Sequence, residues 1–200
     1  MLPTLPSLVM LQRYWYLNFN VMKRVLFCIL VMSFCVSKAQ EKWVLDSENS
    51  FITYEASHFL HDWSGTNQSI KGVLVANEDV FQKIAIAMYI LDFDSRNDSR
   101  DNNALEILEV LKFPKIEFFS DQIEKKDQQI KFYGSMSFHG IEVNKEIDAQ
   151  SVIDSKKLSF KGVFDLSLSD FGVPLPSFMM RKMEDEVVIK YELNFQMLER

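Results

Sequence analysis

Residues 187–196 read VVIKYELNFQ. Val187, Ile189, Tyr191, Leu193 and Phe195 recur at every second position. Lys190, Glu192, Asn194 and Gln196 fall between them, with Val188 the one apolar exception. A period of two is the signature of a β-strand with one face in a core and the other in water. Ten residues of it, without glycine or proline, leave no room for a helical reading.

Working outward, the same rhythm recurs. Leu158, Phe160, Phe164 and Leu166 alternate with Ser159, Lys161, Asp165 and Ser167. Ile130, Phe132, Met136 and Phe138 alternate with Lys131, Tyr133, Ser135 and Ser137. Ile84, Ile86, Met88 and Ile90 form a third row, and Ile52, Tyr54, Ala56 and His58 a fourth. Weaker rows run through Ile70 and Leu74, Ile116 and Phe118, and Ile141, Val143 and Ile147. About eight strands on short connections predict an all-β, antiparallel barrel or sandwich. Residues 103–111 break the rhythm. Ala104, Leu105, Leu108 and Leu111 share a helical spacing, Asp98, Ser99 and Asp101 are capping residues, and Pro114 is a stop. One amphipathic helix is expected there.

The N-terminal part reads as removable. Met22-Lys23-Arg24 is basic, residues 25–36 are a twelve-residue apolar run, and Ser37-Lys38-Ala39 has small residues three and one positions before a cut. That is a signal peptide over 22–39, with cleavage expected between Ala39 and Gln40. The run falls short of the ~20 apolar residues a membrane span needs, so no integral span is expected in the mature chain. Residues 1–21 read as an extension ahead of the true start, and 40–200 as one domain. Cys28 and Cys35 both lie in the apolar run, so the mature chain has neither disulfide nor thiol chemistry. It carries 18 basic and 28 acidic residues, a balance of −10. That argues against nucleic acid and against anionic membrane surfaces as partners.

Chemical motifs are few. His58 and His61 are three apart; taken as one strand they point to opposite faces, and a structural zinc site needs four ligands. Asp92, Asp94 and Asp98 fail the calcium-loop register, with Asn97 at the glycine position and Asn103 at the glutamate position. No nucleophile elbow, phosphate loop or paired-carboxylate motif is present. No catalytic residue and no metal are therefore expected. Gly72, Gly134 and Gly162 fall on inward parities, which fits either bends in a curved sheet or room for a ligand.

The ordered series Trp43-Val44-Leu45-Asp46, Asn49-Ser50, His58, Gly65, Ile70-Lys71-Gly72, Phe93-Asp94-Ser95, Arg100-Asp101, residues 113–118 (FPKIEF), Phe138-His139-Gly140, residues 162–168 (GVFDLSL), Asp170-Phe171-Gly172-Val173 and Pro176 resembles the YceI-like proteins. It spans essentially the whole of 40–200. It departs at Ile141-Glu142, where the family often has threonine, and at residues 179–183 (MMRKM), which suit either adaptable apolar contacts or packing at the barrel end. The resemblance implies a lipocalin-like barrel exported to the periplasm or secreted, holding a polyisoprenoid or isoprenoid quinone in its lumen, with no other cofactor. The inward parities then nominate the lipid-binding residues. They are Ile52, Tyr54 and His58; Ile84, Ile86 and Met88; Phe118; Phe132, Met136 and Phe138; Phe160, Phe164 and Leu166; and Ile189, Tyr191 and Leu193. The expected function is a lipid carrier or reservoir. An enzyme or stress-response interaction module on the same barrel is the alternative, and a homodimer is left open.

Overall fold

The computed structural model describes residues 21–24, 40–77, 80–154, 156–178 and 181–198. Residues 21–24 are helical; the rest of the extension and leader, the cleavage position at Ala39, and Met179-Met180 lie outside the described residues. Residues 40–200 form a compact unit of their own.

The alternating rows are strands. In chain order they are β1 (Glu41–Leu45), β2 (Phe51–His58), β3 (His61–Asn67), β4 (Lys71–Asn77) and β5 (Val80–Tyr89). After helix α1 (Asp98–Ile107) come β6 (Lys115–Lys126), β7 (Gln129–Phe138), β8 (Ile141–Asp154) and β9 (Lys157–Ser167). The short hairpin of β10 (Ser177–Phe178) and β11 (Arg181–Lys182) precedes β12 (Glu186–Met197). β1, β4, β5, β6, β7, β8, β9 and β12 are neighbours in that order, and β12 pairs back onto β1, closing an antiparallel ring of eight.

One strand makes the closure possible. β9 runs along one edge of β12 for its whole length. The other edge is shared: Phe195–Met197 pairs with β1 and Val188–Glu192 with β2. β1 and β2 are thus one long strand broken by the turn Ser47–Asn49. The break is held by hydrogen bonds. Ser50 Oγ donates to the Asp46 carbonyl at 2.6 Å and accepts from Asn194 N at 2.9 Å, and Gln196 Nε2 donates to Asp46 Oδ2 at 2.7 Å. β3 and β4 are broken in the same way around Asn67, which is fully buried. Its side chain donates to the Tyr89 carbonyl at 2.9 Å and accepts from Ser69 N at 2.7 Å, so a polar group in the wall is satisfied.

The two ends differ. At one end β4–β5, β6–β7 and β8–β9 turn back, and aromatic side chains fill the interior. Phe160 sits among Phe81, Phe132 and Phe195, with centroids 5.5, 5.2 and 5.8 Å away in edge-to-face contact. At the other end β2 and β3 continue past the ring, and β3 meets the β5 side through the Asn67–Tyr89 hydrogen bond and the Thr66–Asp94 bridge. Helix α1 lies at this open end.

The helix differs from expectation. It begins at Asp98, capped by Asn97 Oδ1, which accepts from Arg100 N at 3.0 Å. Asp98 and Asp101 therefore form its first turn, where negative charge favours the helix N-terminus. It ends before Glu109, whose φ of 45° is left-handed, and leaves Leu111 fully exposed. The stop is this local turn, and Pro114 instead leads into β6. The β7–β8 connection is a two-residue turn with His139 at φ 51° and Gly140 at φ 76°, the left-handed pair that a type I′ hairpin requires. His139 is locked there: Nδ1 donates to the Phe171 carbonyl at 3.1 Å, and Nε2 lies 3.4 Å from Glu109 Oε2. The His-Gly pair is thus a turn tied to both the helix exit and the 168–171 segment.

Candidate functional site

Above the Phe160 floor the barrel keeps a cavity of about 100 Å³. Ile52 (β2), Ile84, Ile86 and Met88 (β5), and Phe118 (β6) line one side. Phe132 and Met136 (β7), Phe160, Phe164 and Leu166 (β9), and Ile189, Tyr191 and Leu193 (β12) complete it. Each is on the parity that its alternation assigns. Phe93, Ile116 and Ile147 also contribute. The lining is apolar throughout because the one hydroxyl in it is engaged in the wall: Tyr191 Oη donates to the Asp148 carbonyl at 2.9 Å. Burial pushes that phenol far above its ordinary value.

The deep cavity meets a larger one, about 680 Å³, at the open end. Phe93, Ile116, Leu166 and Ile189 line both, so the two adjoin. Tyr54, His58 and Phe138, the remaining inward residues, line this mouth and not the deep lumen. Helix α1 and its exit supply Ala104, Leu105, Ile107 and Leu108, and the segment after β9 supplies Val173, Pro174 and Pro176. Polar groups gather only here. The Arg100 guanidinium lies 5.8 Å above the Trp63 ring, and the Tyr54 phenol is pushed up by burial and by Asp101.

Some readings need correction. His58 and His61 do not lie on one strand. Phe59-Leu60 is the β2–β3 turn, the two histidines are cross-strand partners, and their rings are 6.4 Å apart on the same side. Among the described residues no three His, Cys, Asp or Glu side chains converge as a metal site. His58 is buried, and Nε2 donates to the Arg181 carbonyl at 3.2 Å. The inward glycines leave no room for a ligand. A Cβ on Gly162 would strike Tyr191 and the Asp148 carbonyl; on Gly134, the Phe118 ring and the Phe119 carbonyl; on Gly72, Ile86 at 2.7 Å. Their space is taken by large neighbours. Trp63, Phe93 and the helix residues were missed because β3 (HDWSGTN) does not alternate and the others lie on connections. A tryptophan amid polar residues was the one signal for Trp63.

An eight-stranded antiparallel barrel that keeps an apolar cavity open at one end belongs to the ligand-holding class of closed β-barrels. The family model of the YceI-like domain matches residues 43–195, and the chain belongs to that family. A UPF0312 protein of Enterobacter sp. strain 638 is 20% identical over 139 residues, 64% of this chain and 72% of that protein. The fold is shared with Burkholderia cenocepacia BcnA (TM-score 0.68, 15% identity, 75% of this chain and 98% of the other). It is shared with a polyisoprenoid-binding domain from Saccharophagus degradans implicated in plant cell wall breakdown (TM-score 0.62, 10% identity, 77% and 97%). A Campylobacter jejuni YceI protein has it too (TM-score 0.55, 20% identity, 65% and 83%). At these identities the solved structures speak to the fold.

Proposed function

We propose that residues 40–200 hold a long apolar lipid, a polyisoprenoid or the tail of an isoprenoid quinone, and carry or store it in the periplasm without transforming it. The observation that supports this reading is the two-part cavity. Its deep part is wholly apolar, and its mouth collects the polar groups. An apolar chain gains about 25 cal/mol per Å² buried, before the entropic costs of binding. The mouth volume falls within the usual range of small-molecule sites. The deep lining presents no nucleophile, acid or base, since the Tyr191 hydroxyl is bonded away into the wall. A head group would rest among Tyr54, His58, Trp63 and Arg100, at the edge of water. The family resemblance and the Saccharophagus domain's polyisoprenoid ligand point the same way.

Mass spectrometry of the organic extract of protein purified from its native host tests this. An isoprenoid chain in near-stoichiometric yield is expected. Protein that carries none, and takes up none when offered isoprenoid alcohols in detergent, would overturn the reading.

A further inference from the structure

The open end carries apolar residues where turns ordinarily carry polar ones. The β2–β3 connection, residues 58–61, reads HFLH, and Phe59 and Leu60 are 47% and 54% exposed. The β10–β11 hairpin comes against this turn through Arg181. At the closed end the connections 77–80, 126–129 and 154–157 contain a single apolar residue, Val80.

The two open-end tips are joined. Arg181 places its guanidinium 4.7 Å from the Phe59 ring, its carbonyl accepts from His58, and Glu184 N donates to the Ser57 carbonyl at 3.1 Å. Arg181 and Lys182 are exposed beside Phe59 and Leu60. His58, His61, Pro176, Ser177 and Met183, their neighbours along the chain, line the cavity mouth. An apolar tip with Arg181 and Lys182 beside it, and the exposed acids Asp62 and Glu184 set behind it, at the entrance of a lipid cavity, matches the boundary layer of a bilayer. There, side chains such as Phe and Leu enter the acyl region and Arg and Lys meet phosphates.

We infer that the Phe59-Leu60 turn, with Arg181 and Lys182, docks the barrel mouth-first on a phospholipid bilayer containing anionic lipid, so that a chain can pass between membrane and cavity. The inference rests on the lipid-carrier reading. With Arg181 and Lys182 set apart, the rest of the domain carries 16 basic and 28 acidic residues, a balance of −12, which keeps other faces away from such a surface and makes the contact orientation-specific.

The test uses residues 40–200, which contain every strand and buried core residue among the described residues and no cysteine. An environment-sensitive dye is attached at Leu60→Cys or, at the closed end, at Asp127→Cys. Phosphatidylcholine vesicles with a minority of phosphatidylglycerol are added. A blue shift at position 60 and none at 127 is expected. In unlabelled protein, Phe59→Ser with Leu60→Ser should lower vesicle affinity by about tenfold or more, and Arg181→Glu should weaken it further at low salt. Uptake of an isoprenoid alcohol from detergent should stay unchanged in these variants. A dye at position 60 that remains in water, in protein that still takes up isoprenoid from detergent, overturns docking and leaves the carrier reading standing. A dye that becomes protected only as protein concentration rises identifies a contact between copies and also overturns it. A blue shift in protein that takes up no isoprenoid supports docking and removes the carrier reading.

Discussion

Phe160 and Phe164 stand four residues apart on one face of β9 and do different work. Phe160 is fully buried and touches three other rings. Phe164 is half-buried, 6.2 Å from the Tyr191 ring, with one side toward the deep cavity. Phe160→Ala should cost roughly 3–5 kcal/mol in urea denaturation of the empty protein, as a ring removed from a filled core does. Phe164→Ala should cost less, because part of its surface already faces a void, and should weaken isoprenoid binding instead. Equal losses of stability, with binding unaltered in Phe164→Ala, would mean that Phe164 is ordinary core. The inward parity of both residues is legible in the alternation Leu158-Ser159-Phe160-Lys161. Their different roles are not, because a floor and a cavity wall have the same pattern. The inward glycines show the same limit from the other side. Parity places Gly162 inside, and only coordinates show Tyr191 occupying its space.

Elements were readable wherever burial repeats every second residue, and obscured wherever a connection does the packing. The alternation in β12 and β9 is regular, and both are strands over the whole of it. Helix α1 has no fully buried residue, so its apolar spacing is a weak guide and its start is set by the Asn97 cap. The β2–β3 turn was hidden because Phe59 and Leu60 are not turn residues by composition. Helix α1 is held over the mouth by its cap, by Trp63 and by His139. Removing the cap with Asn97→Ala should cost about 1 kcal/mol of local stability. Hydrogen exchange across 98–107 should rise and ligand release should quicken, with the barrel strands unaffected. Exchange rising equally in β7 and β9 would show that helix and barrel unfold together. The break between β1 and β2 should be acid-sensitive. Asp46 accepts first from Asn49, then from Gln196, and these bonds hold its carboxyl below the usual 3.8. Asp185, bonded chiefly to Ser169, is held below it likewise. A carboxylate with a depressed value stabilises the fold above its unfolded value and loses that contribution as pH falls through its folded one. Amide protection at Asn194 and Ser169 should therefore be constant above 3.8 and fall below it. Asp46→Asn should abolish the change at Asn194 alone.

In the whole molecule, the ring of eight follows from strand lengths and parities, but its closure does not. That β12 shares one edge between β1 and β2 depends on the Asp46–Ser50–Asn194 bonds, which join residues about 145 apart in sequence. The same long-range packing sets how much chain the barrel accepts. Two adjoining cavities lie between the mouth and Phe160 and side chains fill the interior beyond it, so a chain running down the barrel would have a fixed depth. A ligand that binds only the folded protein stabilises it by RT ln(1 + [L]/Kd), about 2.7 kcal/mol at a hundredfold excess over Kd. For a domain of this size that raises the melting temperature by roughly 5–10 °C. Across isoprenoid alcohols of increasing length at one concentration, each added unit should bury more apolar surface and raise the melting temperature until the chain reaches the floor. Beyond that length further units stay at the mouth or in water, and the gain should level off. Phe160→Ala lowers the floor toward Leu158 and Phe195. It should melt lower when empty, yet its gain should continue to longer chains, because an apolar void of that kind is filled by an apolar guest and not by water. A melting shift independent of chain length in the native protein, or one that levels off at the same length in Phe160→Ala, would mean that the chain does not run down the barrel axis.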